Sequence, residues 1–215
     1  MSSARAFLNG IIDYAGLFPP ARLTMDDAVR EYARYRQSED KDLLGRFILP
    51  SSRLDEFSSA SRSFLSTDGS AHWHLSAIVS PGNDADIDAI SEFNAEQSGV
   101  TVDAIEMPVH STAEIEWAAN QFGKSFALFL EPPLTPDCSD LLASIASSGA
   151  SGKLRTGGVV PGAIPPAAAV LRFIDTCAAL DLPFKATAGL HHAIRGSYSL
   201  TYEKDAPSGV MFGTM

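Results

Sequence analysis

Lys153-Leu154-Arg155-Thr156-Gly157-Gly158 and, one strand–helix–strand length later, Phe184-Lys185-Ala186-Thr187-Ala188-Gly189-Leu190 settle how this chain is organised. In a strand, successive side chains point to opposite faces. Leu154 must turn toward covering helices, so Lys153 and Arg155 turn the other way. Lys185 and Thr187 follow the same logic. Between the two segments, Pro165 and Pro166 open an amphipathic stretch, where a missing N–H costs a helix nothing. A strand, a crossover helix and a second strand make one parallel unit.

The same alternation extends through the chain. Strands are expected at Ile11–Tyr14, Arg46–Leu49, Trp73–Val79, Val102–Met107, Phe126–Leu130, Lys153–Arg155 and Phe184–Thr187. Helices are expected at Met25–Arg36, Arg53–Leu65, Ala85–Glu96, Ala113–Asn120, Cys138–Ser147 and Pro166–Leu180. Thr24 stands before Met25-Asp26-Asp27, which places acidic residues in a first turn, where the helix dipole favours them. Repeated alternation of this kind forces a parallel α/β sheet, either an open doubly wound one or a closed barrel. The barrel is the better fit. No G-x-G-x-x-G follows the first strand, and charged residues alternate along several strands as barrel linings do. Seven strands leave a barrel one short. The tail offers an extended piece at Tyr198–Tyr202 and an apolar, uncapped end, and barrels use roughly 250 residues. The expectation is a single domain over 1–215, a (β/α)8 TIM-type barrel truncated before its last β/α unit.

Hydrophobic residues make up 45% of the 215, enough for a sizeable core. A net charge of -10, from 16 Lys+Arg against 26 Asp+Glu, repels phosphate backbones and argues against a nucleic-acid partner. Cys138 and Cys177 have no zinc spacing and read as small hydrophobes in a reducing compartment. Met1 to Gly10 lacks the pattern of a signal peptide, and no apolar run approaches the roughly 20 residues that span a bilayer. A cytoplasmic protein without a membrane partner is expected, and a homo-oligomer is compatible with it.

Charged groups facing a barrel interior cost several kcal/mol each unless paired or solvated. Two readings of Lys153 and Lys185 follow. In one, Glu106 and Glu131 are counter-charges in an ion-pair layer. In the other, like-charge repulsion and desolvation leave an amine able to attack a carbonyl. Glu106, Glu131 and Asp13 each end a strand, on the face where barrel active sites form. Thr156-Gly157-Gly158 and Ala188-Gly189 are corners whose N–H groups could hold an anion, or tight turns that need positive φ. His191 and His192 follow the seventh strand, and adjacent residues diverge, so at most one of the two enters a site there. His110 is a weaker candidate. His72 and His74 lie at the start of the third strand and read as bottom-layer or surface residues.

The order of motifs resembles class I deoxyribose-phosphate aldolases. Ile12-Asp13-Tyr14-Ala15-Gly16-Leu17-Phe18-Pro19 is similar to their I-D-H-T-x-L-x-P. Ile48-Leu49-Pro50-Ser51-Ser52 and Ile78-Val79-Ser80-Pro81-Gly82 look like their second and third strands. Asp103-Ala104-Ile105-Glu106 is similar to D-E-V-D, Lys153-Leu154-Arg155-Thr156-Gly157 to K-x-S-T-G, and Phe184 to Leu190 to V-K-A-S-G-G-I. The chain also resembles a bacterial family with D-Y-A-G-L-F-P-P, K-x-R-T-G-G and F-K-A-T-A-G-L-H-H motifs, whose members continue past the end of this sequence. The aldolase resemblance implies a (β/α)8 barrel with Lys153 as the Schiff-base lysine, Lys185 as its tuning neighbour and Glu106 in place of a proton-relay aspartate. Arg155 departs from the small residue the aldolases carry, His191-His192 departs from their loop, and no eighth strand is recognisable. The deoxyribose phosphate substrate is therefore not carried over.

The leading expectation is an aldolase-like carbon–carbon lyase acting on a small oxygenated carbonyl compound, with no cofactor and no metal. Lys153 forms the imine, Lys185 tunes it, Glu106 shuttles protons and Asp13 assists. Arg155, Thr156, Gly157, Gly158, Thr187, Glu131 and His191 or His192 contact the substrate. One alternative is a metal-dependent lyase or hydrolase using Glu106, Glu131 and one of His191 or His192. Another is a barrel that binds a metabolite without turning it over.

Overall fold

A computed structural model describes residues 6–65, 72–134, 137–190, 192 and 194–212. Strands and helices alternate in chain order: β1 (Ile12–Tyr14), α1 (Met25–Tyr35), β2 (Leu44–Pro50), α2 (Leu54–Ser61), β3 (Trp73–Ile78), α3 (Asp84–Glu96), β4 (Val100–Pro108), α4 (Thr112–Phe122), β5 (Ala127–Glu131), α5 (Ser139–Ser148), β6 (Ser151–Arg155), α6 (Ala167–Ala179) and β7 (Phe184–Thr187). These seven strands hydrogen-bond in sequence order. The recorded pairings within them are parallel. The fold is α/β, and among the described residues no helix is long and apolar enough to cross a membrane.

Contacts group the chain into two compact units. The first comprises Met1–Phe18, Arg22–Val79 and Asn83–Ile105. Its core is aromatic: Tyr32 lies edge-on to Phe47 and Trp73, and Phe57 packs against Phe47, Trp73 and Phe93. Alternation explains why. Phe47 and Leu49 on β2 and Trp73, Leu75 and Ala77 on β3 are all buried, and Phe47 stands opposite Leu75 in the parallel register. The Tyr32 hydroxyl donates to the Gly45 carbonyl at 2.8 Å, which satisfies the one polar atom of a fully buried ring. Thr24 caps α1 by accepting the Asp27 N–H, as its sequence position predicts.

The second unit comprises Pro19–Ala21, Ser80–Gly82 and Glu106–Met215. Helix α4 starts at Ser111, whose hydroxyl accepts the Glu114 N–H, while the Glu114 carboxylate accepts the His110 N–H at 2.5 Å. Helix α5 stops at Gly149 with φ 78, a left-handed conformation that costs glycine nothing. Ile145, Leu154, Phe173 and Cys177 form buried packing. After β7 the pattern changes. Strand β8 (Gly196–Ser199) pairs antiparallel with β9 (Ser208–Met211). The sequence reading placed an extended piece at Tyr198–Tyr202, starting two residues after β8 does, and read the final apolar residues as an uncapped end. The register Ser197 to Val210 and Tyr198 to Gly209 shifts the first piece and gives the final apolar residues Val210 and Met211 strand partners. Val210 and Met211 are consecutive residues of β9, the first side chain half-exposed and the second buried.

Candidate functional site

The second unit gathers five of the predicted side chains into one line of alternating charge. Lys153 on β6 and Lys185 on β7 are register partners, as are Arg155 and Thr187. Parallel neighbours in register present their side chains on the same face. The Lys153 ammonium reaches Glu106 Oε2 at 2.9 Å and Glu131 Oε2 at 2.8 Å. Lys185 reaches Glu106 Oε1 at 2.7 Å. Arg155 Nε donates to Glu131 Oε1 at 2.6 Å. The order along the line is Lys185, Glu106, Lys153, Glu131, Arg155. It carries three cations and two carboxylates.

Burial is deepest in the middle of this line. The Lys153 and Glu106 side chains are 4% and 2% exposed, while Arg155 is 51% exposed. Lys153 and Glu106 are therefore closed in, and the guanidinium meets solvent. Burial pushes the Glu106 carboxyl up, but the Lys153 and Lys185 charges beside it outweigh burial and hold it below the ordinary value of 4.5. Glu131 behaves alike: burial raises it, and Lys153 and Arg155 bring it down. Both carboxylates are ionised near neutrality. Lys185 also lies over the Phe129 ring, 4.6 Å from its centroid. Phe129 was not anticipated, although it sits two residues before Glu131 and so shares its face.

The glycine corner has a different purpose from the one its composition suggests. Thr156 is fully buried, its N–H donates to the Thr187 carbonyl at 2.9 Å, and its hydroxyl donates to the Ala188 carbonyl. A side-chain carbon added at Gly157 would stand 2.8 Å from the Gly189 Cα, and one at Gly158 would stand 2.6 Å from the Ala163 Cβ. Close backbone approach, not positive φ, is what Gly157 and Gly158 supply. Positive φ occurs at Ala188 and Gly189, 61° and 73°. The two strand ends are thus locked together, which fixes where Lys153 and Lys185 begin.

The remaining predicted residues that are described have other recorded contacts. The His192 ring stacks on Tyr198, centroids 3.5 Å apart and 9° from parallel, and His191 lies outside the described residues. Asp13 belongs to the first unit, where its carboxylate accepts the Arg46 N–H at 2.7 Å. The exposed His110 lies beside Glu114 at the start of α4. Among the described residues no three His, Cys, Asp or Glu side chains are arranged as a metal-binding group. A groove of about 420 Å³ runs past Pro166, Arg195, Ser197 and Ser208, and none of the five charged residues lines it.

Compared with models of known protein families, with curated proteins and with solved structures, the chain matches none.

Proposed function

We propose that this chain is an aldolase-like carbon–carbon lyase on a (β/α)-barrel scaffold, working through a Schiff base on Lys153. One observation carries the reading: two lysines in register on adjoining strands share a single buried carboxylate, Glu106. Imine formation needs a neutral amine, and Lys153 has two proton acceptors, Glu106 at 2.9 Å and Glu131 at 2.8 Å. Once a proton has moved to one of them, the Lys153 nitrogen adds to the substrate carbonyl carbon. The carbonyl oxygen then leaves as water, taking one proton from the added nitrogen and the other back from the same carboxyl group. As the Glu106 carboxylate takes the proton of the substrate's β-hydroxyl group, the resulting iminium accepts the electron pair of the breaking C–C bond, giving an enamine on one fragment and a carbonyl compound as the other. Protonation of the enamine and hydrolysis release the second product and restore Lys153. Lys185 keeps Glu106 charged between steps, and in this reading the solvent-facing Arg155 meets an anionic substrate group.

A second reading has its own observation. Lys153 is enclosed by two ionised carboxylates, the geometry of an ion-pair layer that holds strands together, and in that case the barrel binds a metabolite without turning it over. Borohydride reduction in the presence of small 2-oxo acids, aldehydes and hydroxyketones separates the two. The lyase reading expects a stable adduct on the peptide carrying Lys153, absent from Lys153→Met. Labelling that never reaches Lys153 leaves the ion-pair layer.

A further inference from the structure

We propose that His72 and His74, at the start of β3 in the first unit, form a two-histidine site for a divalent transition-metal ion of the zinc class. Residues two apart in a strand share a face, and both rings are exposed. Their centroids lie 5.2 Å apart. Two imidazoles bound to one tetrahedral ion, each with a metal–nitrogen distance of about 2.0 Å, place their ring centres about 5 Å apart. The pair stands at that separation.

Each ring is held by a partner on β4. His74 Nδ1 lies 2.8 Å from Asp103 Oδ2, and His72 Nε2 lies 2.8 Å from Thr101 Oγ1. Asp103 is itself fixed by Arg46 on β2, through Nε at 2.6 Å and Nη2 at 3.2 Å. A carboxylate behind a histidine sets its tautomer: with the proton on Nδ1 toward Asp103, the lone pair of His74 is on Nε2. With the His72 proton likewise on Nε2, toward the threonine hydroxyl, its lone pair is on Nδ1. Among the described residues neither of these two nitrogens makes a hydrogen bond. The Arg46 charge would repel a cation, but Asp103 stands on it as a bidentate counter-ion. Water completes the coordination, since no third His, Cys, Asp or Glu joins the pair among the described residues.

Calorimetric titration of the full chain with zinc chloride at about pH 7.5 tests this. One ion per chain should bind, with an affinity on the order of micromolar. His72→Gln and His74→Gln should each weaken binding by about tenfold or more. His110→Gln, which removes a histidine from another part of the chain, should leave the titration unchanged. Circular dichroism of the variants confirms that the fold is kept; both rings are exposed, so the fold should tolerate glutamine. Absence of saturable binding up to about 1 mM zinc, or an unchanged titration in the His72→Gln/His74→Gln double variant, overturns the assignment.

Discussion

Lys153 and Lys185 face each other across β6 and β7, and one carboxylate, Glu106, binds both: Oε2 at 2.9 Å from the first and Oε1 at 2.7 Å from the second. Like charges on adjacent strands would repel if left alone. A shared anion between them turns that repulsion into a cross-strand tie, so the energetic weight of the cluster rests on Glu106 more than on either lysine.

Replacing Glu106 by Leu should therefore cost more than replacing Lys153 by Met. Glu106→Leu takes the shared anion from two ammoniums that are largely buried, a loss of about 3–5 kcal/mol. Lys153→Met leaves Lys185 with Glu106 and Arg155 with Glu131, so its cost should be about 2 kcal/mol or less. Urea denaturation of the two variants beside the parent measures the order, and equal costs would remove Glu106 from its central place.

Acid should expose the same network. Glu106 and Glu131 have folded-state values below the ordinary 4.5, so the unfolded chain binds protons more readily. Their contribution is complete above the ordinary carboxylate value and is lost as pH falls through the depressed folded values. The urea midpoint should change little between about pH 7 and 5 and fall below about 4.5. In a Glu106→Gln/Glu131→Gln variant the fall should be shallower, whatever its starting stability.

Gly157→Ala is expected to destabilise by about 1–3 kcal/mol, because the new carbon meets the Gly189 backbone at 2.8 Å and neither strand end can yield without moving the other. The added methyl group in Gly162→Ala meets nothing within 4 Å, so that variant is the control. Thermal unfolding of the pair should show a lowered midpoint for the first alone.

Burial pushes the Cys177 thiol up to about 11, with the Cys138 sulfur adding to the effect. Cys138 is also raised, by burial and then by Asp137. At pH 8 about one Cys177 in a thousand is thiolate. Iodoacetamide should label the folded chain at Cys177 at least about 100-fold more slowly than the urea-unfolded chain; fast labelling of the folded protein would contradict the packing of α6.

Sequence periodicity was enough for the seven strands and six helices of the main pattern, because burial of one face writes itself into every second or every third and fourth residue. Phe47, Leu49, Trp73 and Leu75 are legible in that way. So was the shared face of Lys153 and Arg155, since Leu154 between them had to be buried. Element ends drifted: α2 stops at Ser61 instead of Leu65, and β4 runs from Val100 to Pro108 rather than from Val102 to Met107. The hairpin β8–β9 was not legible, because Gly196, Ser197 and Ser199 carry no apolar alternation and the pairing itself defines the strands.

The order of residues along the chain decided what faces what within a strand, and hence that Lys153, Arg155, Lys185 and Thr187 would line a common surface. Tertiary structure alone decided the partners. Glu106 finds Lys185 across a separation of 79 residues, and Asp103 selects Arg46 and His74 where the sequence offers many cations. Side-chain direction follows from local backbone geometry. Distance between charges depends on how distant strands come to lie side by side, which no short stretch of sequence records.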